Sequence, residues 1–229
     1  MIQGIKNIVR YFGFELKRIP KTGPNPIHLF ETDAVFKDLY EGIKDHTLVD
    51  RERCFMLYQF FQQATPLGGE VAEVGVYRGG TAKLFGNMLS RAGIDRMIHL
   101  FDTFEGMPET SAERDLHKRG DFADTSLEGV SKYLSDGSFS LHKGFFPDTA
   151  TPIKDKKFSF VHVDVDIYKS VLDCCEFFYT RLLPGGIMIF DDYGFISCPG
   201  AKQAVDEFFS NKAERPIYLS SGQCVVIKQ

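Results

Sequence analysis

Short apolar runs alternate with helical patterns between residues 70 and 209, and no other feature of the sequence constrains the fold as strongly. Strands that alternate with helices predict a mostly parallel sheet with helices on both faces. Such a sheet binds ligands beyond the carboxyl ends of its strands, so a site is expected at that edge. The runs typical of buried strands lie at 70–76, 96–102, 139–144, 158–165 and 186–192. The helical patterns lie at 33–44, 50–63, 79–93, 125–134, 170–183 and 200–209.

The two ends of the chain depart from this alternation. Residues 215–229 contain two short strand patterns joined at 220–223, which predicts an antiparallel hairpin and a sheet of seven strands. The breaker cluster KTGPN at 21–25 separates an amphipathic start from the rest of the chain. We predict a helical extension at 1–49 and one further domain at 50–229, since 229 residues suffice for one sizeable core.

Composition excludes several classes of protein. A formal net charge of -4 argues against a general nucleic-acid binder, and no apolar run approaches the roughly 20 residues that span a bilayer. The five cysteines are scattered without a C-x-x-C pair, which gives little support to zinc ligation or a disulfide framework. We predict buried, reduced thiols and a cytoplasmic location.

The first 20 residues have the pattern of a basic amphipathic helix. Ile2, Ile5 and Ile8 recur at helical spacing, and basic residues outnumber the single acidic residue, Glu15. Such a helix can lie on an anionic membrane surface, here the inner one, or pack against its own domain or a second subunit. We predict peripheral membrane contact or homo-oligomer formation through this segment, with both alternatives open.

A glycine-rich turn follows the first predicted strand, in EVGVYRGGT. Gly75 and Gly79 allow close approach of a ligand, but Tyr77 stands where a dinucleotide site would have its second glycine. Glu73 precedes the turn and suits a cationic ligand, and Asp102 ends the next strand, where an acid can bind both ribose hydroxyls. An antiparallel last strand is also typical of methyltransferases. These features predict S-adenosylmethionine as the cofactor.

Two further strand patterns end in pairs of carboxylates. Asp164 and Asp166 follow one strand, and Asp191 and Asp192 follow another, with one helix between the two pairs. If the strands are neighbours, four acids meet at one edge and repel one another. A divalent cation removes that cost, and a set made only of carboxylates favours Mg²⁺ over zinc. Such an ion can bind two vicinal hydroxyls and lower the pKa of one.

Taken together, these segments resemble the macrocin-O-methyltransferase family, metal-dependent enzymes that methylate sugar hydroxyls with S-adenosylmethionine. The resemblance covers about 50–209 through EVGVYRGGTA, FDTFEGMP, GFFPDT, DVDIYKS and LPGGIMIFDDYG. The chain departs from the family's usual pattern at Val165, in place of a glycine, and at Phe145, in place of a tryptophan. The resemblance implies a Rossmann-like class I methyltransferase fold and a small-molecule or glycan substrate.

The resemblance also implies roles for individual residues. It makes Asp166 the base, and because alternate residues of a strand share a face, we expect Asp164 and Asp166 to point the same way. The implied metal ligands are Asp164, Asp191 and Asp192, and the implied cofactor-binding residues are Glu73, Gly75, Tyr77, Gly79, Asp102 and Gly144. The N-terminal segment, which ends in GFELKRI, is similar to the N-terminal segments of enzymes from bacterial surface-polysaccharide clusters, and this favours a glycan over an antibiotic substrate.

Four alternatives remain at the level of the sequence. Catechol-type and caffeoyl-CoA-type methyltransferases share the metal chemistry. An NAD-dependent oxidoreductase is disfavoured by Tyr77. A haloacid-dehalogenase-like phosphatase is disfavoured because only one helix separates the two acidic motifs, which lie much further apart in that family, and a non-catalytic scaffold is disfavoured by the intact set of acids. His99 and His162 lie in apolar strands and are expected to be buried, hydrogen-bonded core residues. The polar stretch 103–124, which holds His117, is predicted to be a functional loop.

Overall fold

The computed structural model describes residues 28–229, in which seven strands form one sheet of order β3-β2-β1-β4-β5-β7-β6. Strands β1 to β5 pair in parallel, and β7 is antiparallel to both β5 and β6. This confirms the Rossmann-like class I arrangement with its terminal hairpin. The strands are β1 Glu70–Val74, β2 Ile98–Asp102, β3 Phe139–Lys143, β4 Phe158–Val163, β5 Leu182–Phe190, β6 Ile217–Tyr218 and β7 Cys224–Ile227.

Helices surround the sheet, and side-chain caps begin several of them. Asp50 accepts a hydrogen bond from the backbone N–H of Arg53 at 3.0 Å, which satisfies a free donor in the first turn of α3. The helices are α1 Leu29–Thr32, α2 Ala34–Glu41, α3 Arg51–Ala64, α4 Gly80–Arg91, α5 Leu127–Tyr133, α6 Tyr168–Tyr179 and α7 Pro199–Phe209. Short 3₁₀ segments lie at Lys44–His46 and Asp148–Ile153. No helix between residues 28 and 229 is long and apolar enough to cross a membrane.

One hydrophobic core lies on each face of the sheet, because successive strand residues point to opposite sides. On β4, Phe160 belongs to the core under α3 and α4, and its neighbour Val161 belongs to the core under α6 and α7. Phe36 of α2 is buried in the first core and contacts Phe55 of α3 edge-on. The described part of the predicted extension therefore shares a core with the rest of the chain. The amphipathic segment 1–20 lies outside the described residues.

The fold brings the predicted acids to one edge of the sheet. Asp164 follows the last residue of β4, Asp191 follows the last residue of β5, and Val163 pairs with Phe190 at those two ends. The turn after β1 crosses beside them: a Cβ on Gly75 would lie 1.7 Å from the backbone oxygen of Asp164. Only glycine fits there, and its φ of 89° is also one that glycine adopts without strain.

Candidate active site

A cavity of about 310 Å³ follows the carboxyl edge of the sheet, and most of the predicted site residues line it. The lining includes seven of the ten: Gly75, Tyr77, Asp102, Gly144, Asp164, Asp166 and Asp192. Among the described residues, the other three, Glu73, Gly79 and Asp191, are not part of the lining. Gly79 instead begins α4 with φ 86°, packed against Val130 and Leu134.

Asp102 holds the glycine turn in place. Its Oδ2 accepts hydrogen bonds from the backbone N–H groups of Val76 at 2.7 Å and Tyr77 at 2.9 Å. Its Oδ1 accepts a third from Phe104 at 2.6 Å. An ionised carboxylate has about four acceptor sites, so one remains for a ligand hydroxyl in the cavity.

The long loop closes over the cavity from the other side. Its backbone pairs with itself, with the N–H of Met107 donating to the carbonyl of Asp121 at 2.7 Å. Asp115 Oδ1 accepts from the backbone N–H of Tyr168 at 2.8 Å and so ties the loop to the start of α6. Met107 and His117 line the cavity, which places this loop where a ligand would be covered.

Three aspartates converge at one end of the cavity. One carboxylate oxygen each from Asp164, Asp191 and Asp192 lies within 4.8 Å of the others. Burial, together with repulsion from Asp191, holds the pKa of Asp164 well above its usual range. Burial, with the charges of Asp166 and Asp164, does the same for the pKa of Asp192. A hard divalent cation would relieve the repulsion between these carboxylates, so the residues fit the predicted magnesium site.

Asp191 differs from the other two because cationic and amide groups surround it. Arg53 Nη1 donates to its Oδ2, and Gln223 Nε2 donates to its Oδ1 at 2.8 Å. His162 Nε2 lies 3.7 Å from Oδ1, at a distance where charge attraction acts without a hydrogen bond. Burial alone would raise the pKa of Asp191, but His162 and Arg53 outweigh it and lower that pKa. Sequence spacing gave no sign of Arg53 or Gln223, which reach the site from α3 and from the hairpin.

Glu73 and His162 support the aspartates from inside the sheet. His162 Nδ1 lies 2.8 Å from Glu73 Oε1, and both side chains have no exposure to solvent. The prediction of buried core histidines is confirmed, since His99 is also only 5% exposed. Glu73, predicted to lie around the cofactor, faces His162 instead of the cavity because its side chain points into the core beneath β1 and β4.

Asp166 lies in a second cluster, apart from Asp164. The strand-alternation argument is wrong here, because β4 ends at Val163 and the backbone at Asp166 turns into the left-handed region with φ 57°. Asp166 Oδ1 lies 3.7 Å from His117 Nε2 and 3.5 Å from Cys198 Sγ, and its backbone N–H donates to Asp192 Oδ2 at 2.9 Å. Burial raises the pKa of Asp166, and His117 and Cys198 partly offset that rise.

The cysteines are buried, as predicted. All five lie within residues 28–229, and each is a free thiol. Cys198 was expected to be an ordinary core thiol without a role as a ligand, but the start of α7 places its Sγ beside Asp166 and His117. Neither Cys198 nor His117 was predicted as a site residue, since each is more than 30 residues distant in sequence from Asp166.

Several known O-methyltransferases are similar to this chain. The family described as Macrocin-O-methyltransferase (TylF) matches residues 40–228. A tetracenomycin-C derivative 4'-O-methyltransferase of Streptomyces olivaceus is 33% identical over 172 residues, 68% of this chain and 66% of that protein. Mycinamicin III 3''-O-methyltransferase of Micromonospora griseorubida is 30% identical over 180 residues, 71% of this chain and 70% of that protein. The match to each covers about two thirds of the relative's length.

Among solved structures, the O-methyltransferase NovP superposes with a TM-score of 0.71 and 25% sequence identity. The superposition covers 80% of this chain and 82% of NovP. The family match spans most of the described residues and includes the glycine turn, the three clustered aspartates and the cluster around Asp166. The chain belongs to the macrocin-O-methyltransferase family, a family of methyltransferases.

Proposed function

We propose that the protein transfers a methyl group from S-adenosylmethionine to a hydroxyl of a sugar, with Mg²⁺ as a second cofactor. The observation that carries this proposal is one continuous cavity that joins the glycine turn and Asp102 to Asp164, Asp166 and Asp192. A cofactor site and a site for activating a hydroxyl then share one chamber. Family membership supports the use of S-adenosylmethionine.

At the cofactor end, we assign Gly75, Tyr77, Asp102 and Gly144 to S-adenosylmethionine. Gly75 lines the cavity, and Asp102 keeps acceptor capacity for ribose hydroxyls. The aromatic side chain at Tyr77, with φ 52°, stands at the turn where a pyrophosphate would have to approach, which disfavours NAD. Glu73 takes a supporting role in this proposal, through His162.

At the other end, Asp164, Asp191 and Asp192 would hold Mg²⁺. The ion would bring two vicinal hydroxyls together and lower the pKa of the one to be methylated. Arg53 and Gln223 donate to the carboxylate of Asp191, and the charge of Arg53 keeps it ionised before the ion binds. Asp191 and Asp192 are buried and Asp164 is partly buried, which limits access of competing water.

Asp166 is the proposed general base. It lines the cavity beside the three aspartates, and its raised pKa makes it a better proton acceptor than an exposed carboxylate. The hydroxyl proton would pass to a carboxylate oxygen of Asp166 as the hydroxyl oxygen takes the methyl group from the sulfonium of S-adenosylmethionine, which would leave as S-adenosylhomocysteine. Its backbone N–H, bound to Asp192, fixes its position relative to the proposed metal ligands.

The substrate class is proposed from the relatives. The name of the Streptomyces olivaceus relative specifies a rhamnosyl tetracenomycin-C derivative as its substrate, and that of the Micromonospora griseorubida relative specifies mycinamicin III. We therefore propose a sugar of a glycosylated small molecule, a nucleotide sugar or a glycan as acceptor. Val165 and Phe145, which differ from the usual family pattern, both line the cavity and would shape the acceptor pocket.

Binding and turnover assays test this proposal. We expect S-adenosylhomocysteine to raise the melting temperature by mass action, and NAD to leave it unchanged. Methyl transfer should be detected with a sugar acceptor from a panel that also includes a catechol, and EDTA should abolish it. Stabilisation by NAD alone would overturn the cofactor assignment, activity on the catechol alone would overturn the substrate class, and full activity in EDTA would overturn the metal requirement.

A further inference from the structure

Three side chains of different chemistry meet at the wall of the cavity. His117 comes from the long loop, Asp166 from the segment after β4, and Cys198 from the start of α7. Their nearest atoms, Nε2, Oδ1 and Sγ, form a triangle with sides of 3.5, 3.6 and 3.7 Å. An imidazole, a carboxylate and a thiol are each common ligands of zinc.

The size of the triangle matches one face of a zinc tetrahedron. With Zn–S near 2.3 Å and Zn–N and Zn–O near 2.0–2.1 Å, tetrahedral angles place sulfur about 3.5–3.6 Å from the two lighter ligands, and those about 3.3 Å from each other. Cys198 Sγ lies 3.5 Å from Asp166 Oδ1 and 3.6 Å from His117 Nε2. The distance from His117 Nε2 to Asp166 Oδ1 is 3.7 Å, so His117, a loop residue, would have to move by a few tenths of an ångström to reach the ideal distance.

A further carboxylate orients His117 in the way that zinc ligands are commonly oriented. Asp121 Oδ2 lies 3.2 Å from His117 Nδ1 and also accepts from the backbone N–H of Lys118 at 3.0 Å. The contact with Asp121 favours a proton on Nδ1 of His117. The lone pair of Nε2 is then directed to Asp166 and Cys198. Carboxylate, histidine and metal in this order are a recurring arrangement around zinc.

The cluster differs in ligand softness from the aspartate site beside it. Thiolate and imidazole select zinc-class ions, whereas all-carboxylate sites suit magnesium. All three side chains line the cavity, so a fourth position faces the space where substrate or water would bind. The two neighbouring sites are therefore expected to discriminate between the two ions.

We propose that His117, Asp166 and Cys198 form a second metal site, selective for zinc-class ions, and that its occupation inhibits methyl transfer. Zinc would bind the carboxylate of Asp166 and the thiolate of Cys198, and the thiol proton would be released to solvent. Asp166 could then no longer accept the hydroxyl proton. The binding part of this inference stands independently, and the inhibition part rests on the proposed function.

Cobalt absorption tests the site without any assay of activity. With saturating Mg²⁺ present, Co²⁺ is expected to give the visible bands of a tetrahedral ion and a thiolate-to-cobalt charge-transfer band, which carboxylate ligands do not produce. Cys198→Ala and His117→Ala should each lose the tetrahedral spectrum, and Cys224→Ala, which removes a buried thiol outside the cluster, should keep it. Absence of the charge-transfer band in the parent protein, or its persistence in Cys198→Ala, would overturn the proposal.

Two further measurements test the site, one of zinc affinity in a variant that keeps all three ligands and one of inhibition by zinc. Asp121→Asn should weaken zinc affinity about 10–100-fold, as measured by calorimetry with excess Mg²⁺, because the orientation of His117 is lost. Unchanged affinity would contradict the role of Asp121. Zinc should inhibit methyl transfer in excess Mg²⁺, with at least tenfold less effect on the residual activity of Cys198→Ala. Equal inhibition of the parent protein and Cys198→Ala by zinc would overturn the proposal that zinc binding inhibits methyl transfer. If the parent protein binds cobalt as described but has no methyltransferase activity, the proposed function is contradicted and the metal site is not.

Discussion

His162 and Glu73, on neighbouring strands β4 and β1, form an ion pair that is completely shielded from solvent. Burial by itself would lower the pKa of His162, but the nearby carboxylates of Asp191 and Glu73 raise it to about 10. The imidazolium therefore stays charged in the folded protein at neutral pH. It neutralises part of the negative charge that the aspartates bring to the edge of the sheet.

This pair predicts a pH dependence of stability. His162 has a folded-state pKa of about 10 against an ordinary value of 6.5, so its contribution is complete below pH 6.5 and is lost as pH rises through 10. We expect His162→Gln to lower the free energy of unfolding by about 3–5 kcal/mol at pH 7, the typical cost of breaking a buried pair. At pH 10 the difference between the two proteins should be smaller. Urea denaturation at both pH values measures it.

His99→Gln is the matched control for this prediction. Burial lowers the pKa of His99 to about 4, so this residue is neutral at both pH 7 and pH 10. Its substitution should change stability by a similar amount at the two pH values. If His162→Gln behaved in the same way, His162 would be neutral in the folded protein and the charge assignment would be wrong.

Arg53 and a divalent cation are expected to compete for Asp191. Arg53 Nη1 donates to Asp191 Oδ2, and 14% of the arginine side chain is exposed. Arg53→Met should therefore destabilise the metal-free protein but increase the rise in melting temperature that saturating Mg²⁺ produces. Arg51→Met, in the same helix, removes a pair with exposed Glu41 and should leave the Mg²⁺ response unchanged. A smaller Mg²⁺ response in Arg53→Met would show that the arginine positions Asp191 for the ion rather than competing with it.

The elements of the fold could be predicted because their signals are local. Periodicity identified the five parallel strands and the hairpin, and breakers marked most helix ends. The helix predicted at 170–183 is α6 Tyr168–Tyr179 instead, because Leu182 pairs with Phe158 and already belongs to β5. An apolar leucine fits a helix end and a strand start equally well, so the sequence alone does not separate the two.

The aspartates of the site could also be predicted, because each follows a strand and strand ends meet at one edge. Their partners could not. Arg53 is 138 residues from Asp191, and His117 and Cys198 reach Asp166 from a loop and from a helix start. Such contacts depend on how loops and helices dock on the sheet, for which no periodicity exists. The turn at Asp166 likewise depends on a single residue with positive φ that pattern arguments do not identify.

Asp102 is expected to govern cofactor affinity partly through the backbone of the glycine turn. In Asp102→Asn, an NH₂ group replaces one of the two acceptor oxygens. Because NH₂ cannot accept a hydrogen bond, the side chain loses either the bonds from Val76 and Tyr77 or the bond from Phe104. Loss of the charged acceptor for a ribose hydroxyl costs about 1.5–3 kcal/mol, which corresponds to roughly 10–100-fold weaker binding of S-adenosylhomocysteine in calorimetry. Asp124→Asn, an exposed acid that contacts the Tyr77 hydroxyl at 2.9 Å, should change affinity little. Equal effects of both variants would argue against a special role for Asp102.

Residues 1–20, which lie outside the described residues, are predicted to act in docking rather than in catalysis. Their apolar stripe and excess of basic residues motivate this expectation. Deleting them should leave turnover on a soluble acceptor intact and should change either binding to anionic vesicles or the sedimentation coefficient. Vesicles of neutral lipid serve as the control. If neither property changes on deletion, docking by this segment is excluded.

The separation of Asp164 from Asp166 predicts different kinetic effects for their substitution. Asp164 groups with Asp191 and Asp192, whereas Asp166 groups with His117 and Cys198. Asp164→Asn should weaken Mg²⁺ binding, and added Mg²⁺ should restore part of the activity. Asp166→Asn should lower turnover about 10²–10⁴-fold, the usual effect of losing a general base, without rescue by Mg²⁺.

Metal titration and methyl-transfer assays on the two variants distinguish these roles. Both substitutions replace a carboxylate by an amide of nearly the same shape, so the two proteins are controls for each other. Because the backbone N–H of Asp166, which the substitution keeps, donates to Asp192, Mg²⁺ affinity should change much less in Asp166→Asn than in Asp164→Asn. If instead Asp166→Asn were the variant that added Mg²⁺ rescues, Asp166 would be a metal ligand and Asp164 the candidate base.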